Sequence, residues 1–113
     1  MLPSKNRLKK EKDIKAVFKE GQSIKEEPFL LKKTENGLEE SRFCFIIPDN
    51  ISKKATFRNK LKRKIREGVR GILPEIKKGL DIVLIALPGA ERKDFKELKK
   101  DILKVFFKAN LFK

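Results

Sequence analysis

Residues 53–70 read KKATFRNKLKRKIREGVR, a stretch with nine lysine or arginine residues and a single acid. Apolar side chains recur with helical spacing through this stretch and just beyond it, at Phe57, Leu61, Ile65, Val69 and Ile72. At about 100° per residue these side chains form one stripe along a helix. The spacing therefore predicts an amphipathic helix that packs through its apolar stripe and presents guanidinium and ammonium groups to a partner.

The polar side of this helix has the chemistry of an RNA or DNA contact. Arginine makes bidentate contacts with phosphate and stacks on bases, whereas lysine supplies a point charge. Asn59 is uncharged among these cations, and it either hydrogen-bonds a base edge or phosphate or caps the start of the helix. A solvated charged face is the alternative interpretation of the whole stretch.

The composition favours the nucleic-acid interpretation. The chain has 113 residues and a net charge of +14. We expect one domain over 1–113, because a chain of this length buries roughly two-thirds of its unfolded surface without a metal or a disulfide. A large excess of positive charge disfavours the compact state through self-repulsion. Such an excess is tolerated where the partner is a polyanion. A merely solvated surface would be served better by charges of mixed sign.

The side chains that usually carry catalysis are scarce. The chain contains no histidine, and Cys44 is its single cysteine. The acidic pairs Glu26-Glu27 and Glu39-Glu40 are adjacent, so their side chains diverge, and a hydrogen-bonding role is expected for Asp81. We therefore expect no catalytic residue, metal site or cofactor on the protein. Without an apolar signal segment or a stretch of about twenty apolar residues, we expect a cytoplasmic protein with no membrane partner, and no protein partner is predicted.

Hydrophobic spacing divides the remaining chain into helices and strands. The predicted segments are a helix over 11–20, an extended stretch over 23–34, a strand over 42–47, the basic helix, a strand over 80–87 and a helix from Phe95. These segments predict an α+β fold, a two-layer α-β sandwich with the order α-β-β-(β)-α-β-α, in which an additional short strand lies near Ser23.

Several local features carry predictions of their own. Residues 1–10 are polar and basic, which is typical of an extended arm. Gly21 is expected to end the first helix in the left-handed conformation, and Asn36-Gly37 is a hairpin-turn dipeptide. For Phe18 and Phe29, core packing is favoured over stacking on a nucleobase.

Three stretches have a spacing that is more specific than their charge. They are Asn6-Arg7-Leu8-Lys9-Lys10 with Asp13, Val17-Phe18-Lys19 and Gly21; Ala55 with Arg58-Asn59-Lys60-Leu61-Lys62-Arg63 and Ile65-Arg66-Glu67; and Asp81-Ile82-Val83-Leu84-Ile85-Ala86. Together they resemble the protein subunit of bacterial ribonuclease P over nearly the whole chain. The second stretch is similar to the arginine-asparagine-arginine signature of that family.

The resemblance implies a left-handed β-α-β crossover through the basic helix, and a large RNA subunit that uses Mg²⁺ to remove the 5′ leader of precursor tRNA. It also implies that the protein binds this catalytic RNA and the single-stranded leader. The implied RNA-binding residues are Lys53, Lys54, Arg58, Asn59, Lys60, Lys62, Arg63, Arg66 and Arg70. The implied leader-binding cleft, between the first helix and the sheet, consists of Ile14, Phe18, Leu30 and Lys32.

The sequence departs from the family pattern at several of these places. Ile14 and Lys32 stand where the family often has aromatic residues, and Asp49-Asn50 stand where a basic pair is usual. Lys60 replaces the second arginine of the signature, and Leu87 follows the last strand where a basic residue is common. The runner-up function is a ribosomal or ribosome-assembly RNA-binding protein. A nuclease in its own right is disfavoured by the missing histidine.

Overall fold

The computed structural model describes residues 2–113. The helices and strands are α1 (Glu11–Glu20), β1 (Gln22–Glu26), β2 (Phe29–Glu35), β3 (Arg42–Ile46), α2 (Ala55–Arg70), β4 (Leu80–Ala86) and α3 (Phe95–Lys108). Short 3₁₀ turns occupy Ser4–Asn6, Leu73–Glu75 and Ala90–Arg92. The predicted α+β class and element order are confirmed, and β1 is the additional strand expected near Ser23.

The four strands form one sheet in the order β1-β2-β4-β3. β2 pairs antiparallel with both β1 and β4, whereas β3 and β4 are parallel. Parallel neighbours need a crossover connection, and here α2 supplies it. The basic helix therefore lies in the connection between two adjacent parallel strands of one sheet.

The predicted hairpin at Asn36-Gly37 is wrong. β4 lies between β2 and β3, so the strands on either side of this turn do not pair. The hairpin of this region joins β1 and β2 instead. Asn36 still organises its turn, because its Oδ1 accepts a hydrogen bond of 2.7 Å from the backbone N–H of Leu38, and Gly37 has a φ of 70°. The dipeptide identifies a turn, but the longer-range strand pairing decides what the turn connects.

The larger core lies between the sheet and the α2–α3 pair. Side chains alternate between the two faces of a strand, and the face that meets these helices is strongly apolar. Its buried side chains include Phe29, Leu31, Phe43, Phe45, Ile82, Leu84, Leu98, Ile102 and Phe106. α2 contributes Leu61, Ile65 and Val69, which confirms the centre of the predicted stripe, whereas Phe57 at its start is 37% exposed. Phe29 is in this core as expected.

A smaller cluster covers part of the other face of the sheet. Leu8, Val17 of α1 and Val83 of β4 are buried together, and Ile14 and Ile85 pack against them. The main sandwich thus has two layers, the sheet and the α2–α3 pair. α1 lies across the opposite face of the sheet.

The N-terminal segment is packed against the sheet and is not an extended arm over the described residues 2–10. Leu2 and Leu8 are buried, and the backbone N–H of Leu8 donates a 2.8 Å hydrogen bond to the carbonyl of Phe43 in β3. Met1 lies outside the described residues. The prediction failed because two apolar side chains in a basic segment give no periodicity from which docking can be inferred.

Gly21 ends α1 in an extended conformation, with a φ of −77°, so the predicted left-handed cap is wrong. A Cβ atom at this position would lie 2.4 Å from the carbonyl oxygen of Val17 and 2.8 Å from that of Lys33. Glycine is needed here because the end of α1 passes close to the backbone of β2, and not because of its φ.

Candidate nucleic-acid interface

α2 exposes the basic face that its periodicity predicted. With Leu61, Ile65 and Val69 buried in the larger core, most of the predicted RNA-binding residues lie on the surface. The exposed members are Lys53, Lys54, Asn59, Lys60, Arg63 and Arg70, and the half-buried members are Arg58, Lys62 and Arg66. Lys54 occupies the N-cap position of α2, so Asn59 lies inside the helix and does not cap it.

Arg58 contacts the loop that precedes α2. Its Nη1 donates a 2.8 Å hydrogen bond to the carbonyl of Ser52 and lies 3.6 Å from Oδ1 of Asp49. Its side chain is 25% exposed. Arg58 therefore fixes the loop that leads into α2, and Asp49, which departs from the family pattern, has a local partner in it.

A groove of about 360 Å³ runs along one flank of α2. Lys62 and Arg66 line it from the helix, and Arg7 and Lys9 line it from the N-terminal segment. Cys44 of β3 is in its wall; burial raises the pKa of this thiol, and the nearby charge of Lys62 opposes that shift. Arg7 and Lys9 were missed as site residues, because only the docking of the N-terminal segment brings them beside α2.

A second cleft, also of about 360 Å³, follows the other flank of α2. Lys60, Arg63 and Lys64 of α2 face Phe95, the first residue of α3, which is 40% exposed. The ammonium of Lys99 lies 5.5 Å from the centre of the Phe95 ring. Lys64 and Phe95 were not predicted as site residues, since the sequence does not show that the start of α3 lies beside this flank. An exposed aromatic ring among cations suits an unpaired nucleobase.

The predicted leader-binding cleft lies on the α1 side of the sheet. Phe18 is 43% exposed, so the prediction that it packs in the core is wrong; its neighbour Val17 is the buried residue. One step along a helix turns a side chain by about 100°, which carries Phe18 from the sheet to the rim of α1. The Nζ of Lys32 lies 5.6 Å from the centre of the Phe18 ring and donates a 2.7 Å hydrogen bond to Oγ of Ser23.

The structure brings the other two cleft residues to the same side of the sheet. Leu30 of β2 is opposite Ile85 of β4, which belongs to the α1 face, and Lys32 is opposite Val83. Ile14 packs against the small cluster on that face. Phe18, Lys32, Leu30 and Ile14 thus share one side of the sheet, with an aromatic ring and an ammonium group at its rim.

Within residues 2–113, no group of three or more histidine, cysteine, aspartate or glutamate residues is placed to hold a metal ion. None of the helices in this part of the chain is long and apolar enough to cross a membrane.

A mixed sheet with a cationic crossover helix, and an exposed aromatic ring beside an ammonium group on the opposite face, define an α+β RNA-binding protein. The chain belongs to the ribonuclease P family, which matches residues 2–110. The family is the protein component of ribonuclease P, an endoribonuclease holoenzyme that processes the 5′ end of tRNA, and its partner is the RNA subunit. The ribosomal alternative is not favoured.

Individual relatives agree with this assignment. The chain is 33% identical over 112 residues to the ribonuclease P protein component of Syntrophomonas wolfei, covering 99% of this chain and 93% of the relative. The ribonuclease P protein component of Synechocystis is 32% identical, and the match covers 97% of this chain and 90% of that relative. The ribonuclease P protein of Staphylococcus aureus has a similar structure, with a TM-score of 0.88, 26% identity and 96% and 98% covered. The ribonuclease P protein of Thermotoga maritima is also similar, with a TM-score of 0.79 and 36% identity. This match covers 87% of this chain and 92% of the Thermotoga chain.

Proposed function

We propose that this chain acts as one RNA-binding domain that docks on the catalytic RNA of ribonuclease P through α2 and holds the 5′ leader of precursor tRNA in the cleft beneath α1. The RNA subunit, with Mg²⁺, carries out the cleavage, and the protein supplies no catalytic group. The cytoplasm, where precursor tRNA is processed in bacteria, is the location that this role requires.

The observation that carries the proposal is the arrangement of two surfaces on opposite faces of one sheet. α2 packs on one face and exposes its cations, while Phe18 and Lys32 border the other face. The β3 edge connects them, because Leu8 and Cys44 belong to the α1 side and also line the groove beside Lys62. A structured RNA on α2 and a single strand under α1 can therefore be bound at the same time.

The leader cleft is suited to single strands of varied sequence. A ring such as Phe18 stacks on any base, and the ammonium of Lys32 attracts the adjoining phosphate, so neither contact depends on base identity. Ile14 supplies only an aliphatic surface where the family often has a ring. We therefore expect Phe18 to be the main stacking residue of this cleft.

The test of the α2 contact is the salt dependence of binding to the ribonuclease P RNA of the same organism. Arg63→Ala with Arg66→Ala is expected to weaken binding and to lower the log–log salt slope by up to about 0.7–0.9 for each lost phosphate contact. The control is Arg92→Ala with Lys104→Ala, which removes the same charge from exposed positions outside α2. An unchanged slope in the first variant would mean that this face of α2 does not bind the RNA.

The identity of the RNA partner is tested separately, by sequencing the RNA that copurifies with the tagged protein from its own cells. We expect enrichment of ribonuclease P RNA. Recovery of ribosomal RNA without that enrichment would contradict the proposed function and favour the ribosomal alternative.

A further inference from the structure

The cleft between the cationic flank of α2 and Phe95 is built on two helices that the fold holds firmly. At Gly68 the helices pack so closely that a Cβ atom would lie 2.9 Å from Cδ1 of Ile102. A capping box closes the first turn of α3, because the N–H of Glu97 donates to Oδ1 of Asp94 at 2.8 Å and the N–H of Asp94 donates to Oε1 of Glu97 at 3.2 Å. The wall of the cleft that carries Phe95 is therefore a fixed part of the structure.

Phe95 lines this cleft with a ring that the core does not need. The residue is 40% exposed, whereas Leu98 and Ile102 of the same helix are fully buried in the larger core. The apolar face of α3 is thus closed by other residues. The ring of Phe95 is left as a flat apolar surface in a charged surrounding.

The charged groups around the ring are mostly cations. Three cations and one acid of α2 line the cleft: Lys60, Arg63, Lys64 and Glu67. Lys99 of α3 adds a fourth cation, with its ammonium 5.5 Å from the centre of the Phe95 ring. None of these four cations has an ion pair with any residue in the described part of the chain. Glu67 lies 3.5 Å from Arg70, whose charge offsets that of the acid.

The ring and the cations together favour a nucleotide over a simple anion or an apolar group. An inorganic anion offers no face to the ring, and an apolar side chain offers no charge to the cations. A nucleotide offers both, because its base stacks on an aromatic ring and its phosphate binds ammonium and guanidinium groups. The base has to be unpaired, since proteins stack aromatic side chains on bases that are splayed out of loops, bulges and single strands.

We propose that this cleft takes up one unpaired nucleobase of the RNA that α2 binds, with the base stacked on Phe95 and the adjoining phosphates on Lys60, Lys64 and Lys99. RNA is favoured over an acidic protein because Lys60 and Arg63 belong both to the cleft and to the predicted RNA-binding face of α2. The contact between Lys99 and the ring is of a kind that is weak at exposed sites, so a base can displace the ammonium. The inference rests on the proposed function and adds to it a stacking contact that belongs to α3.

The first test uses Phe95→Trp, because the chain contains no tryptophan or tyrosine and the introduced indole would be its main fluorophore. A base stacked on an indole quenches its emission. We expect single-stranded oligoadenylate to quench the emission saturably, and to do so more strongly than its duplex with oligouridylate at the same phosphate concentration. Phe107→Trp is the control, at a position of α3 that is 79% exposed, and it should not distinguish the two RNAs.

The first test has two outcomes that would overturn the proposal. One is equal quenching of Phe95→Trp by the single strand and the duplex, or quenching by neither. The other is a response to polyglutamate in place of the single strand, which would assign the cleft to an acidic protein partner.

The second test measures affinity for ribonuclease P RNA in the absence of precursor tRNA, so that the leader cleft does not contribute. Phe95→Ala is expected to weaken binding by about 5- to 150-fold, the equivalent of one stacked base. Phe95→Leu keeps an apolar side chain at the start of α3 and should also weaken binding, whereas Phe95→Trp should retain it. The log–log salt slope should stay constant in all three variants, because no charge is removed. Phe107→Ala should bind like the unmodified protein.

The outcomes of the second test separate this inference from the proposed function. If Phe95→Leu binds like the unmodified protein while Arg63→Ala with Arg66→Ala loses binding, the stacking inference fails and the proposed function stands. An equal loss in Phe95→Leu and Phe95→Trp would mean that the side chain packs within the protein, and it would also overturn the inference. If Arg63→Ala with Arg66→Ala keeps full affinity and an unchanged salt slope, the proposed α2 contact itself is wrong.

Discussion

Arg42 of β3 and Asp81 of β4 form a bidentate ion pair across two neighbouring parallel strands. Nε of Arg42 donates to Oδ1 at 2.8 Å and Nη2 donates to Oδ2 at 2.7 Å, and the hydrogen bonding to Asp81 raises the pKa of the guanidinium. Nδ2 of Asn36 donates to the same carboxylate at 2.8 Å. The Nη1 of Arg42 also lies 3.5 Å from Asp13 of α1, so one side chain connects the sheet to the helix that borders the proposed leader cleft.

Removing this carboxylate is expected to destabilise the fold. The side chain of Asp81 is 7% exposed, and Asp81→Ala leaves Arg42 and Asn36 without their common acceptor. We expect the free energy of unfolding in urea to fall by about 2–4 kcal/mol. Lys15→Ala breaks an exposed pair with Glu11 and should cost less than about 1 kcal/mol. Equal losses in the two variants would show that the Asp81 pair is no more important than a surface pair.

Gly21 offers a test of how closely α1 approaches the sheet. An alanine Cβ would collide with the carbonyl oxygens of Val17 and Lys33, which belong to backbone and cannot rotate away. Gly21→Ala should therefore lower the free energy of unfolding by about 1–3 kcal/mol. Gly71→Ala is the matched control at the end of α2, where the nearest atoms would be 3.8 Å away. That change should be neutral or stabilising by up to about 1 kcal/mol, because alanine favours the helical conformation.

The parts of the fold that could be predicted from sequence are those whose signal is local. Leu61, Ile65 and Val69 repeat with the helical period, and a single face satisfies all three, so α2 and its exposed cations follow directly. The existence of α1 is likewise predicted by the helical spacing of its apolar residues, of which Val17 is buried. Asp81 was expected to form hydrogen bonds because an isolated acid at the start of an apolar strand needs partners.

The parts that could not be predicted depend on contacts between distant segments. Nothing near Asn36-Gly37 indicates that β4 inserts between the strands on either side of that turn. The docking of Arg7 and Lys9 beside α2 depends on the pairing of Leu8 with β3. The exposure of Phe18 depends on where α1 crosses the sheet, which the helical period of α1 does not determine. The missed positions of Arg7, Lys9 and Phe18 each concern a residue of a candidate site, whereas the missed strand pairing concerns the order of the sheet.

Cys44 provides a single-site probe of the groove beside α2, since it is the chain's one cysteine. Burial raises the pKa of its thiol, so at a given pH the folded protein has less thiolate than the unfolded chain. Alkylation by iodoacetamide should therefore be slower than in urea, and its rate should rise at a higher pH. Lys62→Ala removes the opposing charge and should shift that rise to a still higher pH, with no effect on the chain in urea.

The same alkylation reports on binding, because Lys62, Arg66 and Cys44 line one groove. We expect saturating ribonuclease P RNA to slow the alkylation of Cys44 in the folded protein. An unchanged rate with bound RNA would show that the RNA leaves this flank of α2 uncovered, and it would assign the contact to the flank that carries Lys60 and Phe95.

Phe18→Ala separates a binding role from a packing role in the leader cleft. Because Phe18 is 43% exposed, its removal should change the free energy of unfolding by less than about 1 kcal/mol, whereas Val17→Ala should cost about 1.5–3 kcal/mol. The affinity for precursor tRNA, relative to the same tRNA without its leader, should fall by about 1–3 kcal/mol in Phe18→Ala. Phe107→Ala removes a ring that is 79% exposed on α3 and should leave this ratio unchanged. A ratio that stays constant in Phe18→Ala, or falls equally in Phe107→Ala, would mean that the leader does not stack on this ring.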